Sequence, residues 1–119
     1  MKKYTDLEVW IEARKLVKLV YVLTENYPKE ELYGLVNQIR RSAVSIPSNI
    51  AEGCGRQSSK ETIHFLYIAR GSAYELETQL FLSEDLNYTS KEELENSLSQ
   101  IRTCVKLLNG FINYYKSKS

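Results

Sequence analysis

The stretch that decides the fold runs Gln38-Ile39-Arg40-Arg41-Ser42-Ala43-Val44-Ser45-Ile46-Pro47-Ser48-Asn49-Ile50-Ala51-Glu52-Gly53. Ile39, Ala43, Ile46 and Ile50 recur at the spacing of one helix face, and Leu32, Leu35 and Val36 continue that stripe towards the N-terminus. Pro47 interrupts it. A proline inside a helix removes one backbone hydrogen bond and costs about 3 kcal/mol, which predicts a kink near Ala43. Ser42, Ser45, Ser48 and Asn49 are placed to satisfy the backbone groups that Pro47 frees. Gly53-Cys54-Gly55 then stops the helix, a glycine being free to take the left-handed cap.

The same period extends in both directions. Upstream, Leu7, Trp10, Ala13, Leu16, Val17, Val20 and Leu23 form a first stripe, opened by a capping box of Thr5 with Glu8 and closed by Asn26-Tyr27-Pro28. Pro28 suits the first position of the second helix, with Glu30 and Glu31 favoured in its first turn. Downstream, Ser58 with Glu61 caps a third stripe of Ile63, Leu66, Ala69, Ala73, Leu76 and Leu80. Ser90 with Glu93 caps a fourth, of Leu94, Leu98, Ile101, Val105, Leu108 and Ile112. Four helices over about 6–26, 29–53, 59–86 and 91–116, joined by short connections, predict one all-α domain over 1–119, an up-down-up-down antiparallel four-helix bundle.

Composition agrees. With 119 residues the chain fits a single domain, and 43% hydrophobic residues supply a core. Five Gly and two Pro are too few turn residues for a β-sandwich. No apolar run reaches the length of a membrane span, and Met1-Lys2-Lys3 leads into charged sequence, which argues against a signal peptide. Two cysteines without a C-x-x-C pair point to a cytoplasmic address.

Chemistry-bearing constellations are sparse. One His, His64, and the single Glu61-Thr62-Ile63-His64 do not make the paired motifs of a di-metal bundle, so no metal or cofactor is expected. No serine or cysteine sits in a nucleophile elbow, and no phosphate-binding glycine loop is present. Cys54 at a helix end and Cys104 beside the core stripe read most simply as packing residues. No catalytic residue is named and no enzymatic activity is expected.

Charge is more informative by position than in sum. The net is +1, yet Asn37–Lys60 carries Arg40, Arg41, Arg56 and Lys60 against Glu52, a net of +3. Glu75–Glu95 carries seven acids against Lys91, a net of −6. Arg40, Arg41, Arg56 and Lys60 are the candidate nucleic-acid contacts, arginine matching phosphate through its planar fork. The competing reading pairs Arg40 and Arg41 with Glu52, Glu75 or Glu77 between helices. Arg70 lies near the core side of its helix and needs a partner, for which Glu77, Glu52 or Glu75 would serve, within the bundle or across an interface. Tyr67, Tyr74 and Phe81, seven apart, make a second apolar stripe on the third helix, as Leu107, Phe111 and Tyr114 do on the fourth. Such a stripe marks either a wide core face rimmed by Tyr hydroxyls or a surface for self-association.

Several segments together resemble a known family: Thr5-Asp6-Leu7-Glu8-Val9-Trp10, Tyr27-Pro28, Tyr33-Gly34-Leu35, Gln38-Ile39-Arg40-Arg41 with Ser45–Gly53, Ala69-Arg70-Gly71-Ser72, and Glu75-Leu76-Glu77-Thr78-Gln79-Leu80. From Tyr4 to about Phe111 the chain is similar to the four-helix-bundle 23S ribosomal RNA intervening-sequence proteins. The resemblance implies a bundle that assembles into homopentameric rings with a central channel, often encoded within insertions of the 23S rRNA gene. The accessory proteins of diversity-generating retroelements look like relatives, and these bind nucleic acid and a reverse transcriptase through a basic surface. Two functions follow as expectations. One is a non-enzymatic oligomer that associates with nucleic acid, rRNA being the class implied. The alternative is a structural scaffold oligomer that binds another protein.

Overall fold

The computed structural model describes residues 3–118. The expectation drawn from Met1-Lys2 lies outside these residues. Helix α1 spans Glu8–Thr24, α2 Leu35–Cys54, α3 Ser59–Asp85 and α4 Lys91–Lys118, and one-turn 3-10 helices occupy Tyr4–Asp6 and Lys29–Glu31. The described residues contain no strand. Each helix packs on the next and α4 returns to α1, closing a four-cornered bundle of 45 × 25 × 20 Å. Neighbours run antiparallel. Gly53 of α2 meets Thr62 of α3, while Ser45 meets Ser72. Arg70 of α3 meets Asn109 of α4, while Tyr67 lies under Lys116. Between these helices Ala13, Leu16, Val20, Ile39, Ile46, Leu66, Leu76, Leu98, Ile101 and Leu108 are fully or almost fully removed from water, the apolar stripes read from the sequence. Val9 and Cys104 join them, whereas Trp10, Val17, Leu35, Ile63 and Val105 pack on their edge.

Three helix ends differ from the sequence reading. Helix α1 starts after Leu7, not at a Thr5 cap: Thr5 lies inside the 3-10 turn, in which the Asp6 and Leu7 amides donate to the carbonyls of Lys3 and Tyr4, and Leu7 takes the N-cap position without a side-chain cap bond. Pro28 stays extended (ψ 140°) and heads the 3-10 turn instead of α2, which begins only at Leu35. There Glu31 Oε1 accepts the Leu35 amide at 3.1 Å, and the delayed start leaves Leu32 exposed instead of in the core. Gly55 ends α2 at φ −86°, in the right-handed region, its amide reaching the Glu52 carbonyl at 3.2 Å. Asn87 (φ 62°) carries the left-handed residue of the α3–α4 connection instead. Of the two downstream capping boxes the one at Ser90 forms in full: Ser90 Oγ accepts from the Glu93 amide at 3.1 Å and Glu93 Oε1 takes the Ser90 amide at 3.0 Å. At Ser58 the hydroxyl accepts from the Glu61 amide at 3.2 Å, but Glu61 Oε1 takes the Ser58 hydroxyl at 3.3 Å instead of its amide.

Helix α2 continues through Pro47 without a break. Of the four polar residues around it, Ser45 and Asn49 form a network. Asn49 Nδ2 donates to the Ser45 carbonyl (2.8 Å) and to Ser45 Oγ (2.9 Å), and Ser72 Oγ reaches Ser45 Oγ at 2.8 Å. The Ser72 bond ties α2 to α3, and none of the three reaches the Ala43 carbonyl that Pro47 vacates.

A close approach of α2 to α3 lies further on, at Gly53. A Cβ added at Gly53 would stand 3.1 Å from Phe65 Cβ and 3.2 Å from the Thr62 carbonyl, while the Thr62 hydroxyl donates to the Gly53 carbonyl at 2.8 Å. Both obstructing atoms are fixed to the α3 backbone, so only a helix shift relieves them. Gly53→Ala is therefore expected to lower stability by about 1–3 kcal/mol in chemical denaturation, although alanine is the better helix former. An unchanged or raised midpoint would contradict this approach.

At the opposite end, Glu31 links the start of α2 to the α3–α4 connection, its Oε2 accepting from Tyr88 Oη at 2.8 Å. The Leu35 amide, then the Tyr88 hydroxyl, hold its carboxyl below the ordinary value of 4.5. A depressed folded-state value means the stabilisation is complete above the ordinary carboxylate range and is lost as pH falls through the depressed value. Glu31→Gln is expected to weaken the acid-dependent loss of stability below about pH 4.5, read as a smaller shift of the urea midpoint on acidification than in the parent chain.

Candidate nucleic-acid interface

The four basic residues singled out from the sequence do not share a surface. Arg40 and Arg41 project towards α1, whereas Arg56 and Lys60 sit at the α2–α3 connection, about 20 Å further along the helix axis at 1.5 Å per residue. Arg56 pairs with Glu52 at 2.7 Å and lies 4.5 Å from the Phe65 ring centre, so its charge is engaged locally. Lys60 is exposed in the first turn of α3.

Arg40 has no carboxylate against it. Its Nε donates to Thr24 Oγ1 at 2.9 Å, an Nη reaches the Tyr21 carbonyl at 3.4 Å, and the guanidinium lies 4.5 Å from the Tyr21 ring centre. The carbonyls that end α1 have no intrahelical donors and carry the negative end of the helix dipole, so a cation from the neighbouring helix is favoured there. Arg41, one residue on, is exposed.

Around them a furrow runs between α1 and α2. Its upper part, about 580 Å³, is lined by Tyr21, Leu32, Tyr33, Val36, Asn37, Arg40, Arg41, Val44 and Ser45. Its lower part, about 600 Å³, is lined by Tyr4, Trp10, Arg14, Val17, Lys18, Tyr21, Val44, Pro47, Ser48 and Ala51. Tyr21 and Val44 belong to both, so the two parts are continuous. Four cations line it and no Asp or Glu does. Pro47 forms part of the floor. The α1 contribution went unread in the sequence, although Arg14, Lys18 and Tyr21 stand at the four- and three-residue steps that mark one helix face.

The expected carboxylate partners lie elsewhere. Arg70 donates to Asn109 Oδ1 at 2.8 Å and covers the Tyr67 ring at 4.9 Å, so an amide and an aromatic face take the place of Glu77, Glu52 or Glu75. Glu75 is exposed and Glu77 half-buried beside Tyr74 and Arg102. Tyr67, Tyr74 and Phe81 stand on the outer side of α3, with 38%, 49% and 44% of their surface exposed. Gly71 lies in the same turn, and a Cβ there would meet nothing within 4 Å. On α4 the second stripe divides: Leu107 and Phe111 pack on the core edge, and Tyr114 is exposed.

The remaining reactive groups are quiet. Cys104 is buried and its thiol is pushed up to about 12 by that burial, with the nearby Glu12 adding to it. Cys54 is half-buried as the last residue of α2, and burial raises its thiol too. Among the described residues no group of three or more His, Cys, Asp and Glu side chains converges as a metal site would require, and no helix is long and apolar enough to cross a membrane.

Comparison with known proteins places this arrangement. The family model of the 23S rRNA-intervening sequence protein matches residues 5–110. Among solved structures, a crystal structure of a protein of unknown function from the S23 ribosomal protein family of Bacteroides thetaiotaomicron superposes with a TM-score of 0.79 at 28% identity, covering 87% of this chain and 97% of that one. A search of curated proteins gives no match. The family match runs from the turn before α1 to the last turns of α4, and the chain belongs to the 23S rRNA-intervening sequence protein family.

Proposed function

We propose that the protein is a non-enzymatic homo-oligomer, a pentamer being favoured, that associates with nucleic acid of the rRNA class through the α1–α2 furrow. The observation that carries this is the furrow's lining: Arg14, Lys18, Arg40 and Arg41 without an acidic side chain among them. A net charge of +1 spread evenly would give phosphate no preferred approach, whereas four cations along one cleft concentrate the positive potential there. Copies of a weak site around an oligomer strengthen one another through effective concentration. The name of the matched family supports rRNA as the class of partner.

The outer face of α3 supports self-association. Tyr67, Tyr74 and Phe81 spend apolar surface on solvent, and Gly71 forgoes about 1 kcal/mol of helix propensity at a position where nothing in the bundle needs the space. Native mass spectrometry at micromolar concentration is expected to show an oligomer, and Tyr74→Asp to shift it to smaller species with helicity unchanged. A monomeric parent chain would overturn the assembly.

Binding is tested by titrating structured rRNA fragments at two salt concentrations. Affinity should fall as salt rises, because phosphate contacts release counterions, and Arg41→Ala should reduce both the affinity and its salt dependence. No binding at low salt by a verified oligomer removes the nucleic-acid function. Protein partners retained from the host after nuclease treatment would then favour the scaffold.

A further inference from the structure

Resting on the nucleic-acid reading of the furrow, we infer that its preferred occupant is an unpaired single strand, held by base stacking on exposed aromatic rings as well as by its phosphates. Charge alone does not explain the lining. Tyr33 is 91% exposed, Tyr4 and Tyr21 are 42% and 40% exposed, and half-buried Trp10 completes the set. Phosphate recognition needs none of these rings, and rings on a polar surface gain only when another planar face covers them.

Rings and cations alternate along the cleft. Tyr4 and Trp10 meet edge to face at 5.5 Å, Arg14 lies 5.5 Å from the Trp10 ring centre, and Arg40 lies 4.5 Å from that of Tyr21. Arg41 and Tyr33 close the upper end. Surfaces that take single strands combine a positive track for the backbone with aromatic platforms for successive bases. A duplex hides its base faces inside the stack, so it can offer the furrow its phosphates but not its rings. The furrow follows α2 from Val36 to Ala51, about 22 Å of helix, enough for several stacked nucleotides. Arg40 is partly committed to the end of α1, so Arg14, Lys18 and Arg41 carry the freer charge.

Trp10 is the only tryptophan of the chain and lines the cleft, which makes it the reporter. The intact protein is titrated with a short oligoadenylate and with an RNA duplex of equal length, at low and moderate salt. The expected result is Trp fluorescence quenching and at least about tenfold tighter binding by the single strand, the size of one stacking contact. Tyr33→Ala, at an exposed position, should weaken the single strand about tenfold while leaving the salt slope unchanged, and Tyr33→Phe should restore it. Arg41→Ala should weaken both RNAs and lower the slope.

Equal affinity for the duplex, or indifference to Tyr33→Ala where Arg41→Ala still weakens binding, would overturn the stacking and leave the electrostatic function standing. Failure of either RNA to bind at low salt would overturn both. Loss of oligomer mass on Arg41→Ala with RNA affinity unchanged would assign the cleft to a neighbouring copy, and would equally overturn the proposal.

Discussion

The close approach of α2 and α3 at Gly53 is the constraint on which the other contacts depend. With the Thr62 carbonyl and Phe65 Cβ against the missing side chain, the two backbones approach more closely than a Cβ there would fit without a shift. The Thr62–Gly53 and Ser72–Ser45 hydrogen bonds then fix how α2 is rotated about its axis. Once its small polar face is committed to α3 and its Ile39–Ile50 stripe to the core, the flank carrying Arg41, Val44 and Pro47 must face α1. The furrow is what remains where α1, contributing Trp10, Val17 and Tyr21, meets that flank.

Arg40 stands where structure and function overlap. Its bonds to Thr24 and the Tyr21 carbonyl satisfy the end of α1, which no residue of the α1–α2 connection does by a side-chain cap, and this places a guanidinium permanently in the cleft. Arg56 shows the opposite outcome. Paired with Glu52 and laid over Phe65, it is spent on the end of its own helix. Arg56 carries its partner four residues back in sequence, whereas Arg40, with Val36 at that position, finds its partners only through the fold.

The helices, their order and most of their core were legible in the sequence because apolar residues at the helical period have few other ways to be buried. Ends were less legible. Pro28 carried a sound signal for a helix start, but the Glu31 carboxylate reaching the Leu35 amide captured that role seven residues later, a local choice reinforced by Tyr88 from a distant loop. The furrow was half legible: Arg40 and Arg41 were visible as a charge cluster, while Arg14 and Lys18 were hidden in a helix read only for its core. Grouping Arg56 and Lys60 with them followed proximity in sequence, which a straight helix converts into distance. Arg70 needed a partner, as its position required, and found an amide and a ring because Asn109 and Tyr67 are at its level of the bundle and the acids are not.

The two ends of the bundle are unequally fastened. One carries the Glu31–Tyr88 bond, the Ser90–Glu93 box and buried Tyr27 and Thr89. At the other, the Thr62–Gly53 bond and the Ser58 cap fasten α2 to α3, while a cavity of about 650 Å³ lies between the turn before α1, the last residues of α2 and the Phe111-to-Tyr115 end of α4. Amide exchange at that end should therefore be fastest in the turn before α1 and the last turns of α4, with α2 and α3 staying closed. Tyr4 and Trp10 belong to the breathing half and Tyr33 to the anchored one. The cleft thus has a rigid jaw and a compliant one, so a ligand seated along it would be expected to quiet the motions of the far end as it binds.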